Sequence, residues 1–223
     1  MIPKYIYKGE IVLKIEIWSD YACPFCYIGK RNLEQALKQS GMTDEVEIIF
    51  RSFELDPDAP KKYEGTIHEL IAKKYGMSVE SATENNNRLV LSAMEAGLIF
   101  NFDDLKPTNT FDAHRLSYYA KENGKLSEFN EAVMRSYFTE GLNISDQETL
   151  SNLAAEIGLD NEEAKRILTS SDYSKEVRES ESDARSKGID GVPYFIFDGK
   201  ETLYGAQPVD KFIDVITSVK SNG

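Results

Sequence analysis

The sequence predicts an α/β fold whose βαβ first half and ββα second half are interrupted by a large all-helical insert. Three observations predict it. Residues 12–18 alternate and are rich in β-branched side chains, helical periodicity follows, and residues 46–53 form a second β-rich run. From about 64 to 188 the apolar spacing is helical almost throughout. After Gly191 the β-pattern returns in two short runs backed by an amphipathic stretch. The expected division is 1–60 and 189–223 for the two halves of one α/β domain, and 61–188 for the insert.

Residues 1 to about 10 read as an irregular or edge-strand extension. A first strand covers 12–18. A helix runs from about Cys26 to Gln39, with Ile28, Leu33, Ala36 and Leu37 at helical spacing and Gly41 as its stop. With the second strand at 46–53 this is a βαβ unit, which predicts parallel pairing and a right-handed crossover. The prolines at 57 and 60 break the pattern. Thr66 caps a helix carrying Ile67, Leu70 and Ile71 that ends at Gly76, and Ser78 with Ser81 opens another that runs to Gly97. Residues 99–102 are a short extended piece. Helices at 110–122 and 126–139 are split by Asn123-Gly124. Asp146 caps a helix ending near Gly158, Asp160 opens a short one, and Ser171 or Asp172 opens a last one ending at Gly188. Residues 192–197 are a strand, Asp198-Gly199-Lys200 a tight turn, 202–205 the paired strand. A closing helix spans 208–219, with Phe212, Val215, Ile216 and Val219 on one face.

Composition excludes some functions. A formal net charge of −12 argues against nucleic acid or an anionic membrane as main partner. No run approaches the roughly 18 apolar residues that span a bilayer. The N-terminal residues lack an unbroken apolar core and a small-residue cleavage site, so a cytoplasmic protein is expected. Two cysteines are too few for a disulfide scaffold. A lone close pair in a reducing compartment is more often catalytic, redox-sensing or metal-binding than structural.

That pair, Cys23 and Cys26, sits at the first strand-to-helix junction. A thiol there meets unpaired backbone N–H groups and the positive end of the helix dipole, and both favour the reactive thiolate. Pro24 fits the first helical turn, where a missing N–H costs nothing. Pro24-Phe25 adds no charge, so activation has to come from the helix end and local donors. A structural disulfide, a buried pair and a zinc site stand as alternatives. Zinc typically takes four ligands, and the two histidines, His68 and His114, are not at finger-like spacing.

The layout with its Cys-x-x-Cys, residues 20–29, Asn109 to Arg115, 137–145 and Gly191-Val192-Pro193, resembles the thioredoxin superfamily. Within it the chain is similar to the DsbA branch, and there to the cytoplasmic FrnE-type members, relatives of the 2-hydroxychromene-2-carboxylate isomerases. The resemblance implies a thioredoxin-like fold and a thiol–disulfide oxidoreductase. Cys23, expected to be the more exposed thiol, attacks; Cys26 resolves the mixed disulfide. It implies a cis peptide bond before Pro193, which lies against the pair, with Val192 offering its backbone to an extended substrate; a strand-initiating proline is the plain alternative. Pro24, Phe25, Val192, Pro193, Asn109, Thr110 and His114 are the expected substrate-facing residues. His114 would hydrogen-bond near Cys23 or simply pack in the insert, with Thr110 as N-cap of its helix. No bound cofactor or metal is expected. Glutathione or a thioredoxin system would recycle the pair, substrates would be protein or small-molecule thiols and disulfides, and the chain would be a monomer or homodimer. Two other functions compete. One is a glutathione-dependent isomerase or transferase, whose relatives typically carry serine where this chain has Cys23. The other is a redox-switched binding or holdase protein. Asp20 is read as a proton-transfer or turn residue, and Trp18 and Tyr21 as packing around the site. Residues 194–197 are read as core, His68 as surface, and 176–183 as a solvated acidic face.

Overall fold

A computed structural model describes residues 13–221; the extension expected for residues 1–10 lies outside them. The described elements are β1 (Leu13–Ser19), α1 (Pro24–Gln39), β2 (Val46–Ser52), α2 (Ile67–Tyr75), α3 (Val79–Glu95), α4 (Phe111–Glu122) and α5 (Leu126–Phe138). They continue with α6 (Gln147–Glu156), α7 (Asn161–Thr169), α8 (Ser174–Ser186), β3 (Tyr194–Phe197), β4 (Glu201–Tyr204) and α9 (Val209–Ser221). The sheet order is β2-β1-β3-β4. β1 pairs parallel with β2 from Leu13↔Val46 to Ser19↔Ser52. It pairs antiparallel with β3, Ile15 opposite Phe197 and Trp18 opposite Tyr194. In the three-residue β3–β4 connection Asp198 and Gly199 lie at φ 49° and 67°, a left-handed pair at the centre of a tight turn that the Lys200 N–H closes on the Phe197 carbonyl at 2.9 Å.

The apolar interior divides in two. Leu13, Ile15 and Ile17 of β1 pack with Leu33, Ala36 and Leu37 of α1, Phe195 and Phe197 of β3, and Phe212, Ile216 and Val219 of α9. The second cluster gathers the insert around Phe129, Val133, Phe138 and Leu116, and takes in Trp18, Tyr21, Cys23 and Cys26. The cysteines are therefore packed on the insert side of the sheet. No described helix is long and apolar enough to cross a membrane.

Four insert helices, α2, α3, α6 and α7, start where short polar side chains take up free N–H groups. Thr66 and Glu69 form a reciprocal capping box on α2; Ser78, Asp146 and Asp160 cap α3, α6 and α7. α7 is closed at its other end by a buried side chain from α4. The Arg115 guanidinium donates to the carbonyls of Ile167, Ser170 and Asp172 at 2.5, 2.7 and 2.8 Å and pairs with Asp112 at 2.9 Å.

Several expectations need correction. α1 begins at Pro24, not Cys26, because Cys23 itself is the N-cap and Pro24 occupies the first turn. α8 begins at Ser174; the preceding Tyr173 lies in the left-handed region (φ 60°), so neither Ser171 nor Asp172 caps it. β3 begins at Tyr194, because the Val192–Pro193 turn precedes it. His68 is buried, not on the surface. α2 packs on α3, and His68 on that inner face bonds the Asn86 amide at 2.9 Å and the Asp103 carboxylate at 3.3 Å.

The stretch 176–183 is not a uniform solvated face either. Glu176 and Glu179 are exposed, but Glu181 is buried beside Glu54, which follows β2. Both carboxylates reach Arg178 Nη1, at 2.5 Å from Glu54 and 2.9 Å from Glu181. Burial pushes the Glu54 carboxyl up, Arg178 opposes, and Glu181 adds to the rise, to about 8. The unfolded chain releases this proton near 4.5. Between those two values the native state binds more protons than the unfolded state, so this group's contribution to stability is lost as pH rises from about 4.5 to about 8. The slope it imposes is at most about 1.4 kcal/mol per pH unit. Glu54→Gln is expected to flatten the curve across that window. Urea unfolding of both proteins over the window checks it, and parallel curves would refute it.

Candidate active site

β1 delivers the chain to the site and α1 carries it away. The Cys23 carbonyl accepts the N–H groups of Cys26 (3.0 Å) and Tyr27 (3.4 Å), which closes the first turn. The two thiols are free and lie one turn apart. No acidic side chain sits in that first turn to offset the positive helix end. Tyr21, two residues before the pair, anchors the loop to α5, its hydroxyl donating to Asn130 Oδ1 at 2.6 Å. Along α1, Tyr27, Lys30 and Arg31 all hold Glu131 of α5, at 2.6, 2.7 and 2.6 Å.

The second half of the domain closes over the pair. Val192–Pro193 is a cis peptide bond. The Val192 carbonyl faces Cys23 Sγ at 3.6 Å. Gly29 lets α1 approach this turn: a Cβ there would lie 3.2 Å from both Pro193 Cγ and Phe195 Cζ. Cys23 is not the more exposed thiol. Both cysteines are 2% exposed, because the Val192–Pro193 turn covers the first as the protein interior covers the second. Phe25 is the outward side chain of the motif, 48% exposed, and Pro24 is half-buried.

Asp20 is the polar centre behind the pair. Its carboxylate accepts the Leu55 N–H at 2.8 Å and the Ala22 N–H at 3.4 Å, and faces His114 Nε2 at 3.4 Å. Burial acts to raise its pKa. The hydrogen bond and charge of His114, the Leu55 N–H and the Thr110 hydroxyl outweigh burial and hold the carboxyl below its usual range. Of the insert residues expected at the site, His114 and Thr110 thus converge on Asp20, both buried. His114 also packs against Tyr21, ring centroids 4.8 Å apart and the planes tilted by 47°. Thr110 occupies the N-cap position of α4 without using its side chain there. Asn109 Oδ1 accepts the Phe111 N–H at 2.9 Å, so Asn109 shapes the turn that starts α4.

Burial pushes the Cys26 thiol well above the ordinary range, and the Cys23 sulfur adds to the rise; the Asp20 N–H and the Ser19 hydroxyl pull the other way. Sequence reasoning did not single out Ser19 or the Leu55 N–H. Ser19 looks like an ordinary strand end, and a backbone N–H leaves no trace in residue type. Among the described residues no group of three or more His, Cys, Asp and Glu could hold a metal ion.

Residues 14–217 match the family model of a DSBA-like thioredoxin domain. The chain is 30% identical over 209 residues to the uncharacterized protein YwbO of Bacillus subtilis (strain 168), covering 93% of this chain and 97% of that one. It superposes on a probable DsbA oxidoreductase from Streptomyces coelicolor with a TM-score of 0.90 and 38% identity, covering 95% of this chain and 91% of the other. A 2-hydroxychromene-2-carboxylate isomerase shares the fold at a TM-score of 0.70 and 15% identity, with 94% of this chain and 95% of that one covered.

Proposed function

The chain belongs to the DSBA-like thioredoxin family, and from that premise we propose that it is a thiol–disulfide oxidoreductase working through Cys23 and Cys26. Cys23 is the nucleophile and Cys26 resolves the mixed disulfide. The observation that carries the reading is the placement of two free thiols on the first turn of α1, with the Val192 carbonyl against Cys23 Sγ. The exposed Phe25 is the side chain of the motif that an extended substrate would meet first, with the Val192 backbone lying beside the Cys23 sulfur. Substrates are thiols and disulfides of proteins or small molecules, and glutathione or a thioredoxin system recycles the pair. No bound cofactor is required, since the pair itself carries the two electrons. A reducing compartment, the cytoplasm, suits a protein with one close cysteine pair and no other.

Cysteine at position 23 counts against a glutathione-dependent isomerase, which activates the thiol of glutathione without forming its own disulfide. One observation favours a second, partner-binding reading of the insert: Leu91 and Met94, three apart on α3 and so on one face, are 61% and 62% exposed. The test of the main reading is catalysed reduction of a model peptide disulfide by glutathione. Turnover above the uncatalysed rate supports it; none with glutathione or with a thioredoxin system overturns it.

A further inference from the structure

The middle turn of α8 is held on the ends of β1 and β2. Ser180 donates its hydroxyl to the Ser52 carbonyl at 3.0 Å, and its own carbonyl accepts the Trp18 indole N–H at 3.4 Å. Glu181 accepts the Glu54 N–H at 3.3 Å. The Glu54 side chain is wholly buried there, and that of Glu181 is 6% exposed. Both carboxylates meet one nitrogen, Arg178 Nη1, at 2.5 and 2.9 Å. The other Glu54 oxygen, Oε1, is buried and has no hydrogen-bond partner among the described residues. Two carboxylates against one guanidinium leave a surplus negative charge out of water, unless one of them holds a proton.

Among the described residues no second cation pairs with either carboxylate. β2 presents Arg51, which is bound to Glu16 at 2.6 Å. α4 presents the Phe111 ring, whose centroid lies 4.3 Å from the Arg178 guanidinium. It also presents the Tyr118 hydroxyl, which donates to the Glu176 carbonyl at 3.0 Å. The active-site loop presents Asp20, which accepts the N–H of Leu55 at 2.8 Å and faces His114 at 3.4 Å.

We propose that Glu54, Arg178 and Glu181 form a proton-operated latch between the insert and the sheet: one proton on the two carboxylates keeps α8 seated on the end of β2, and its loss lets that turn of α8 lift toward water. The latch is independent of the oxidoreductase reading, but it reaches the same site. Leu55 follows Glu54, and its N–H is a donor to the Asp20 carboxylate, so lifting draws one anchor away from the polar centre behind the cysteines. The direction with pH follows from linkage. Seated, Glu54 keeps its proton up to about 8, because burial raises it, Arg178 opposes and Glu181 adds to the rise. Lifted into water, it releases that proton near 4.5. Between those values the open state binds fewer protons. Opening is therefore favoured by up to about tenfold per pH unit across them, and levels off above about 8. The latch is tight in mild acid and loose in mild alkali.

Hydrogen–deuterium exchange of the full chain, read by mass spectrometry from about pH 5.5 to about pH 8, tests this. Glu54→Gln has the shape of the protonated acid and no proton to release. Run at each pH, it cancels the intrinsic pH dependence of exchange. In peptides covering 47–56 and 174–186 the ratio of wild-type to variant exchange is expected to rise on the order of tenfold or more from about pH 5.5 to about pH 7.5. Peptides from α6 and α9 should change by less than about twofold. Glu181→Gln, which leaves a single carboxylate for Arg178, should likewise remove the pH dependence, and it serves where Glu54→Gln fails to fold. A flat ratio overturns the proposal. An equal rise in α6 and α9 also overturns it, because the proton would then be linked to global unfolding and not to a latch. Neither outcome bears on disulfide exchange at Cys23 and Cys26, which the peptide-disulfide assay tests separately.

Discussion

Cys23→Ser is expected to abolish disulfide exchange, lowering turnover by on the order of a thousandfold or more, and Cys26→Ser is expected to stall after the first step. The two losses differ because in the proposed exchange the two sulfurs do different work. A serine hydroxyl in place of Cys23 is not ionised at neutral pH and cannot form the mixed disulfide. Removing Cys26 leaves the attacking sulfur, the helix end and the Val192 carbonyl in place. Only the escape route is lost. The Cys26→Ser protein should therefore accumulate as a mixed disulfide with oxidised glutathione, seen by mass spectrometry as one glutathione per chain and reversed by a reducing agent. Cys23→Ser should show no adduct at Cys26 on the same timescale, because that sulfur is strongly biased toward the thiol. Turnover surviving in Cys23→Ser would refute the assignment.

The largest effect on stability is expected at Arg115→Ala, about 3–5 kcal/mol. The guanidinium is buried and holds together parts of the insert that no backbone ladder joins. Truncation strands the Asp112 carboxylate, which keeps only the contact from the exposed Lys61 (2.8 Å). It also frees the carbonyls at the end of α7. Arg115→Lys should recover part of the loss, since one ammonium cannot span acceptors spread over residues 112 and 167–172. At roughly 2–4 °C per kcal/mol for a chain of this size, the melting temperature of Arg115→Ala should fall by about 6–20 °C. Calorimetry and urea titration check this, and a loss within 1 kcal/mol of zero would show that the network is not needed.

The outline of the fold was legible because each element carries its own local signal. The alternation in β1, the Asp198-Gly199 turn, and the caps at Thr66, Ser78, Asp146 and Asp160 are all short-range effects, and each stands where its residues predict. What misled were effects of packing between elements. His68 beside Glu69 looks solvated until α3 covers it. Glu181 reads as one more surface acid until Glu54 and Arg178 arrive from elsewhere in the chain and the helix. The cysteine pair was legible in residue type and spacing. Its environment was not: the equal burial of both thiols follows from the Val192–Pro193 turn, some 170 residues later in sequence. The same holds for Asp20, whose partners Leu55 and His114 are 35 and 94 residues away.

The chain has one tryptophan, and it stands at the seam. Trp18 is fully buried at the end of β1, its indole N–H donates to the Ser180 carbonyl of α8 at 3.4 Å, and it shares the apolar cluster that contains both cysteines. All indole emission from this protein therefore originates where insert, sheet and thiols meet, with no second fluorophore of its kind to dilute it. Nature has supplied a built-in optical gauge. Its intensity should change when the adjacent pair passes from thiols to disulfide. In denaturant its emission maximum should shift to the red when α8 leaves the sheet, so a seam that opens ahead of global unfolding would register as emission that moves before the helical signal does.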